Sequence, residues 1–186
     1  IIIGISVFFS KYYTATPFKL AYRGLGEVAV WLTFGPIVIL LAAVGQNIGL
    51  HPDIIALMPI TGFTTLSVAW VGEIVDFESD KAADKLGLVF YFGRQNSSYG
   101  LLIIHSLAVI NVIYISFFVF DPGLPLLLAV IPTLTLFPRY WHYIKKKNKD
   151  QKILRKISRI NYMIVVLFSI TLMTGFIINL FVKIIC

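Results

Sequence analysis

Residues 54–72 read IIALMPITGFTTLSVAWVG, and residues 73–85 continue as EIVDFESDKAADK. The first part is an apolar run of the length one membrane crossing requires, about twenty residues. The second places Glu73, Asp76, Asp80 and Asp84 at spacings of three, four and four. Residues three and four apart are neighbours on a helix, so a helical reading puts the four carboxylates on nearly one face. Like charges so arranged repel, and a solvated helix gains nothing from them. A hard, oxygen-preferring cation such as Mg²⁺ makes the arrangement favourable, more so when it also holds phosphate oxygens. The expectation is a metal–diphosphate site at the end of a membrane helix.

The surrounding chain supports a membrane reading. Of its 186 residues 58% are hydrophobic and 13% charged, with a mean hydropathy of +0.86. Those values lie outside the soluble range and predict an all-α, polytopic transmembrane helical bundle, residues 1–186 forming a single membrane domain. Spans are expected at 27–48, 54–72, 99–120, 124–142 and 160–185. Residues 1–9 read as the tail of one more, which makes about six. Pro125, Pro132 and Pro138 interrupt the fourth of these, as membrane helices tolerate where neighbours satisfy the freed carbonyls. The opening IIIGISVFF has neither the basic flank nor the cleavage site of a signal peptide. Ile1 is therefore expected to lie inside a helix, with an N-terminal part of the protein preceding it. The single cysteine, Cys186, excludes an intrachain disulfide.

Charge then orients the bundle. Segments 10–26, 73–98 and 139–159 hold fifteen of the sixteen Lys and Arg residues, leaving only Lys183. The connections near 49–53 and 121–123 hold none and carry Asp53 and Asp121 instead. This alternation predicts three cytoplasmic segments in a cytoplasmic (plasma) membrane, with the acidic stretch and the Lys/Tyr/Arg segment on the same face. The net charge of +7 reflects that topology, and nucleic-acid binding does not follow from it. The run KKKNKDQKILRK is expected to contact anionic membrane lipids.

A diphosphate brought to this face needs metal bridging to carboxylates, and basic donors for the charge on the leaving oxygen. Asp76 and Asp80 are the first metal candidates, with Glu73 and Asp84 outside them. Lys19 and Arg23, four residues apart, are candidate diphosphate clamps, and Lys81 is grouped with them. Against this stands the solvated alternative: Asp84 beside Lys85 as a loop-edge pair, and Lys19 and Arg23 as topology determinants touching lipid headgroups. His105 lies inside a span with no ionisable companion near it in sequence, which favours a hydrogen-bonded helix contact.

The segment PFKLAYRGLGEVAVWLTFGP, followed by EIVDFESDKAADK, resembles the UbiA superfamily of intramembrane prenyltransferases, most closely its 1,4-dihydroxy-2-naphthoate polyprenyltransferase branch. The resemblance implies the later helices of a nine-helix bundle, with roughly three helices before Ile1 carrying a first Asp-rich motif. It places the family's second motif, DxxxD, on Asp76 and Asp80. Through the YTATP stretch it places Tyr13 and Lys19 near the diphosphate, with Lys19 in a catalytic role. It also implies Mg²⁺, a polyprenyl diphosphate donor and an aromatic acceptor for menaquinone synthesis. Where that branch carries Asn-Asn-x-Arg before DxxxD, this chain has Gly72, Glu73, Ile74 and Val75. Glu73 there looks more like the chlorophyll-synthase and archaeal lipid branches. Other acceptors therefore stay open, 4-hydroxybenzoate and a glycerol-phosphate lipid among them. From another class, a cation transporter or scaffold stays open too; it would place ionisable residues at mid-membrane.

Overall fold

A computed structural model describes residues 1–146 and 150–185. Lys147 and Lys149 of the basic run, and Cys186, lie outside the described residues. The helices run in order as α1 (Ile2–Tyr12), α2 (Gly26–Gly45), α3 (Pro52–Val75) and the short α4 (Phe77–Ala82) and α5 (Leu88–Phe92). There follow α6 (Ser97–Phe118), α7 (Leu124–Ile144) and α8 (Gln151–Ile185). Five of them, α2, α3, α6, α7 and α8, are long and apolar enough to cross a membrane. The N-terminal α1 is apolar but only 11 residues long. The bundle is all-α, as expected; the sixth span is represented by this short helix.

Helix α3 is the centre of the arrangement and packs against α2, α6 and α8. It starts with Pro52 in the first turn, where a missing N–H costs nothing, and Asp53 beside it meets the positive helix end. Its contact with α2 depends on small residues. A Cβ on Gly35 would lie 2.8 Å from the Met58 carbonyl oxygen, so only glycine permits that approach. Gly35 and Pro36 sit in a π turn, Thr33–Ile37, within α2; proline cannot donate to the preceding turn, and the ladder widens there.

Two buried clusters form the interior. One, at the end of α3 that leads into the acidic stretch, joins Trp70, Val71 and Ile74 to Leu101, Tyr140 and Leu154. The other joins Ile60 to Val112, Ile115, Leu126 and Phe168. Between α3, α6 and α8 lies a polar tie. His105 Nε2 and Asn161 Oδ1 are 2.8 Å apart, and Asn161 Nδ2 donates to the Ser67 carbonyl at 3.2 Å. His105 is thus the hydrogen-bonded helix contact its isolation suggested.

Two expectations are corrected. The last span does not begin at 160. Helix α8 starts at Gln151 and takes in half of the basic segment. Asp150 Oδ1 accepts the Ile153 N–H at 2.8 Å, and Leu154, Ile157 and Ile160 recur at helical spacing on the buried side. The first helix does not end at residue 9: α1 runs to Tyr12, and a 3-10 turn covers Leu20–Tyr22.

Candidate functional site

The acidic stretch is not one helix with four carboxylates on a face. Helix α3 ends at Val75, Asp76 takes φ −90° and ψ 11°, and α4 begins at Phe77. The winding continues across the bend, since the Asp80 N–H donates to the Asp76 carbonyl at 2.8 Å. Asp84 then adopts a positive φ of 52° and reverses the chain. That reversal returns Lys85 to α4. Its N–H donates to the Asp80 carbonyl at 2.9 Å and its Nζ lies 2.8 Å from Asp80 Oδ2. The bend therefore divides the four carboxylates: Glu73 is buried, Asp80 half-buried, and Asp76 and Asp84 are exposed.

Glu73 faces another carboxyl group, that of Glu27 in the first turn of α2. Both are buried and both press on Gly87. A Cβ there would lie 2.5 Å from Glu73 Oε2 and 3.0 Å from Glu27 Oε1. The Leu88 N–H donates to Glu27 Oε1, while Glu27 Oε2 is buried without a hydrogen-bond partner. Two carboxyl groups this close repel when both are charged, so nearby positive charge is stabilising. Lys85 supplies it. Burial alone would lower the lysine pKa, but the hydrogen bond to Asp80 and the charges of Asp80 and Glu73 raise it above its usual value. The ammonium stays charged.

Tyr13 closes the cluster from α1's side, its ring 3.6 Å from where a Cβ on Gly26 would stand. Burial, then the carboxylate of Glu73, raises its pKa, partly offset by Lys85. The phenol therefore remains a proton donor. Tyr13 also lines an apolar cavity of about 310 Å³ with Phe9, Ser10, Val30, Thr33 and Phe34. Lys81 lines a small cleft shared with Glu73, Asp80, Lys85 and Gly87.

The structure thus assembles Tyr13, Glu73, Asp80 and Lys81 from among the sequence candidates. Lys19 and Arg23 are not one helical turn apart, because Lys19 takes a positive φ of 44°. Lys19 lies over the Tyr22 ring at 5.6 Å, and Arg23 Nη2 donates to the Pro17 carbonyl at 3.2 Å. Asp84 serves the chain reversal and points to solvent. Sequence reasoning missed Glu27 and Lys85. Glu27 lay in the GLGE segment with no role attached, and Lys85 was paired with its neighbour Asp84. Among the described residues no group of three or more His, Cys, Asp or Glu side chains is placed to hold a metal alone. The donor set nonetheless suits a hard cation that completes its shell with phosphate oxygens, as Mg²⁺ does when held by one or two carboxylates.

The chain matches the model of the UbiA prenyltransferase family over residues 1–163. It is 30% identical over 97 residues, 52% of this chain and 32% of the relative, to 2-carboxy-1,4-naphthoquinone phytyltransferase of Synechocystis sp. (strain ATCC 27184 / PCC 6803 / Kazusa). It is 32% identical over 88 residues, 47% of this chain and 26% of the relative, to UbiA prenyltransferase domain-containing protein 1 of Dictyostelium discoideum. The matched segment spans about a third or less of the length of these curated relatives. No solved structure matches the chain. Prenyltransferases of this family are generally metal-dependent. A five-span apolar bundle, an Asp-rich bend held by a lysine and a match over most of the chain have one common reading: the chain belongs to the UbiA prenyltransferase family.

Proposed function

We propose that the protein of which these helices are part transfers a polyprenyl group from an allylic diphosphate to an aromatic acceptor, with Mg²⁺. The observation that carries this reading is Tyr13, shared by a carboxylate–lysine cluster and an apolar cavity of about 310 Å³. Such a junction fits a substrate with a highly charged head and a long apolar tail. Asp76 and Asp80 are the residues that would hold the metal, with Glu73 behind them. They stand at the two ends of the turn that follows α3, and diphosphate and water would complete the cation's shell. Bound Mg²⁺ supplies charge neutralisation of the diphosphate and of the oxygen that leaves.

The protein's own side chains do the rest. Lys85 and Lys81 would add positive charge at the head, and Lys19 and Arg23, on segment 17–23, are the further candidates to reach it once substrate is bound. Tyr13, protonated, donates a hydrogen bond at the boundary between head and tail. The C–O bond to diphosphate breaks with its electron pair on oxygen, leaving an allylic cation. The electron-rich ring carbon of the acceptor attacks, a C–C bond forms, and the ring regains aromaticity by losing the group it carried at that carbon. Apolar walls exclude water, which would otherwise capture the cation.

The naphthoquinone-directed relative supports a naphthalene acceptor, and we take 1,4-dihydroxy-2-naphthoate in menaquinone synthesis as the first choice. The charge alternation supports a cluster facing the cytoplasm from the plasma membrane. A transporter reading is weaker, because the acidic groups gather at one helix end and the intramembrane His105 is tied to Asn161. The test is full-length protein in liposomes with Mg²⁺, labelled prenyl diphosphate and a panel of aromatic acceptors. Prenylated product and released diphosphate are expected. Neither product nor diphosphate with any acceptor overturns the reading, and an Asp80→Ala variant with unchanged turnover overturns the site.

A further inference from the structure

Two segments distant in sequence meet beside the start of α2 and the end of α3. Segment 13–26 carries Tyr13, and segment 76–90 carries Asp80 and Lys85. Each is braced on itself: the Ala21 N–H donates to the Tyr13 carbonyl at 2.9 Å, and the Lys85 N–H to the Asp80 carbonyl at 2.9 Å. The two touch at Gly24, whose φ is +69° and where a Cβ would lie 3.3 Å from the Tyr91 ring and 3.7 Å from the Leu86 carbonyl oxygen. Among the described residues one hydrogen bond crosses from 13–27 to 76–92, the Leu88 N–H donating to Glu27 Oε1.

That bond meets a need which the local sequence leaves open. The first N–H groups of a helix have no partner within it, and a capping side chain normally accepts from one of them. At α5 the capping position is Gly87, which has no side chain to offer. Nor can a larger residue stand there, since Glu73 and Glu27 fill the space a Cβ would need. The acceptor therefore comes from α2. Glu27 is only 2% exposed, so the carboxyl group holding Leu88 is itself held by packing. Leu88 lies three residues beyond Lys85, whose Nζ is 2.8 Å from Asp80 Oδ2. We propose that Glu27 is a positioning residue for the diphosphate head: by accepting the Leu88 N–H it fixes the Asp80–Lys85 turn against the segment that carries Tyr13. The inference rests on the diphosphate reading above. In this role Glu27 acts through Leu88 and needs only an acceptor oxygen, not a charge.

The test is the affinity of full-length protein in nanodiscs for pyrophosphate with Mg²⁺, measured by calorimetry. Glu27→Leu leaves the Leu88 N–H without its acceptor and should weaken binding about tenfold. Glu27→Gln keeps a carbonyl oxygen for that N–H and should restore it. Leu88→Pro deletes the donor while Glu27 stays; proline suits the first helical position, and Gly87 before it is already extended, at φ −70° and ψ 175°. This variant should lose affinity as Glu27→Leu does. Leu88→Ala keeps the N–H but removes a side chain packed on the buried cluster, so its melting temperature should fall with affinity retained. Spin labels on cysteines at exposed Leu25 and Ala83, on a cysteine-free background, give a second readout. One narrow distance is expected in wild type and Glu27→Gln, and a broad one in Glu27→Leu and Leu88→Pro. Unchanged affinity in Glu27→Leu and Leu88→Pro, with wild type binding, overturns the positioning role. Equal loss of affinity in Leu88→Ala overturns it in favour of packing. If the affinity pattern holds but no acceptor is prenylated, the transfer reading fails and the positioning role stands.

Discussion

Gly87 decides whether the carboxylate cluster closes. A Cβ at this position would fall within contact-violating distance of Glu73 Oε2, at 2.5 Å, and close to Glu27 Oε1, at 3.0 Å. Neither carboxyl group is free to retreat, since Glu27 Oε1 holds the Leu88 N–H and both side chains are buried. Gly87→Ala should therefore push segment 83–90 away from α3 and cost about 1–3 kcal/mol, read as a lower melting temperature in detergent. Lys85 gives a second outcome, in the pH profile. Its pKa is raised above the usual 10.5, so the Asp80–Lys85 pair contributes stability that is fully present below 10.5 and fades as pH rises through the higher folded value. Lys85→Met should melt below wild type at neutral pH, and the gap should close in alkaline buffer. A constant gap across that range would mean the lysine acts by packing alone. In the transfer assay, the same variant is expected to lose about tenfold or more in turnover while still inserting in membranes.

Elements show where sequence reading succeeds and where it stops. Long apolar runs announced α2, α3, α6 and α7 within a few residues, because hydropathy is a property of the run itself. The bend at Asp76, the reversal at Asp84 and the left-handed Lys19 were not legible. Each is a single-residue dihedral in a local turn, such as the one that returns Lys85 to Asp80, and neither hydropathy nor spacing encodes it. Glu27 escaped for another reason: its partners are Glu73 and Leu88, far along the chain. Helix α8 was drawn too short because its basic turns looked like a loop, although Leu154, Ile157 and Ile160 already had helical spacing. Contacts between elements can be tested directly. A Cβ on Gly175 would lie 2.6 Å from the Pro125 carbonyl oxygen, so Gly175→Ala should separate α8 from the 3-10 start of α7 and lower the melting temperature. The His105–Asn161 tie should be worth about 0.6 kcal/mol, and at most about 1.7, in a double-mutant cycle of His105→Ala and Asn161→Ala.

At the scale of the whole molecule, the basic residues and the candidate site make the same statement about orientation. Fifteen of sixteen Lys and Arg residues lie in three segments, and two of these, 10–26 and 73–98, supply Tyr13, Asp80 and Lys85 to one cluster. Residues that meet in space at the ends of spans share a side of the membrane, so the packing and the positive-inside pattern are independent arguments for one face. Helix parity adds a third: α3 connects Gln46 at one end of the bundle to Ser79 at the other, and both are exposed. On a cysteine-free background, single cysteines at Ser79 and Lys152 should react with a membrane-impermeant maleimide only in inside-out vesicles. A cysteine at Gln46 should react only in right-side-out vesicles. Labelling of Ser79 and Lys152 from opposite sides would separate the acidic bend from the basic turn of α8, which no five-span bundle with these helix contacts allows. Labelling of both from the outer side would keep the fold and reverse its insertion, which is incompatible with the proposed use of a diphosphate supplied from the cytoplasm.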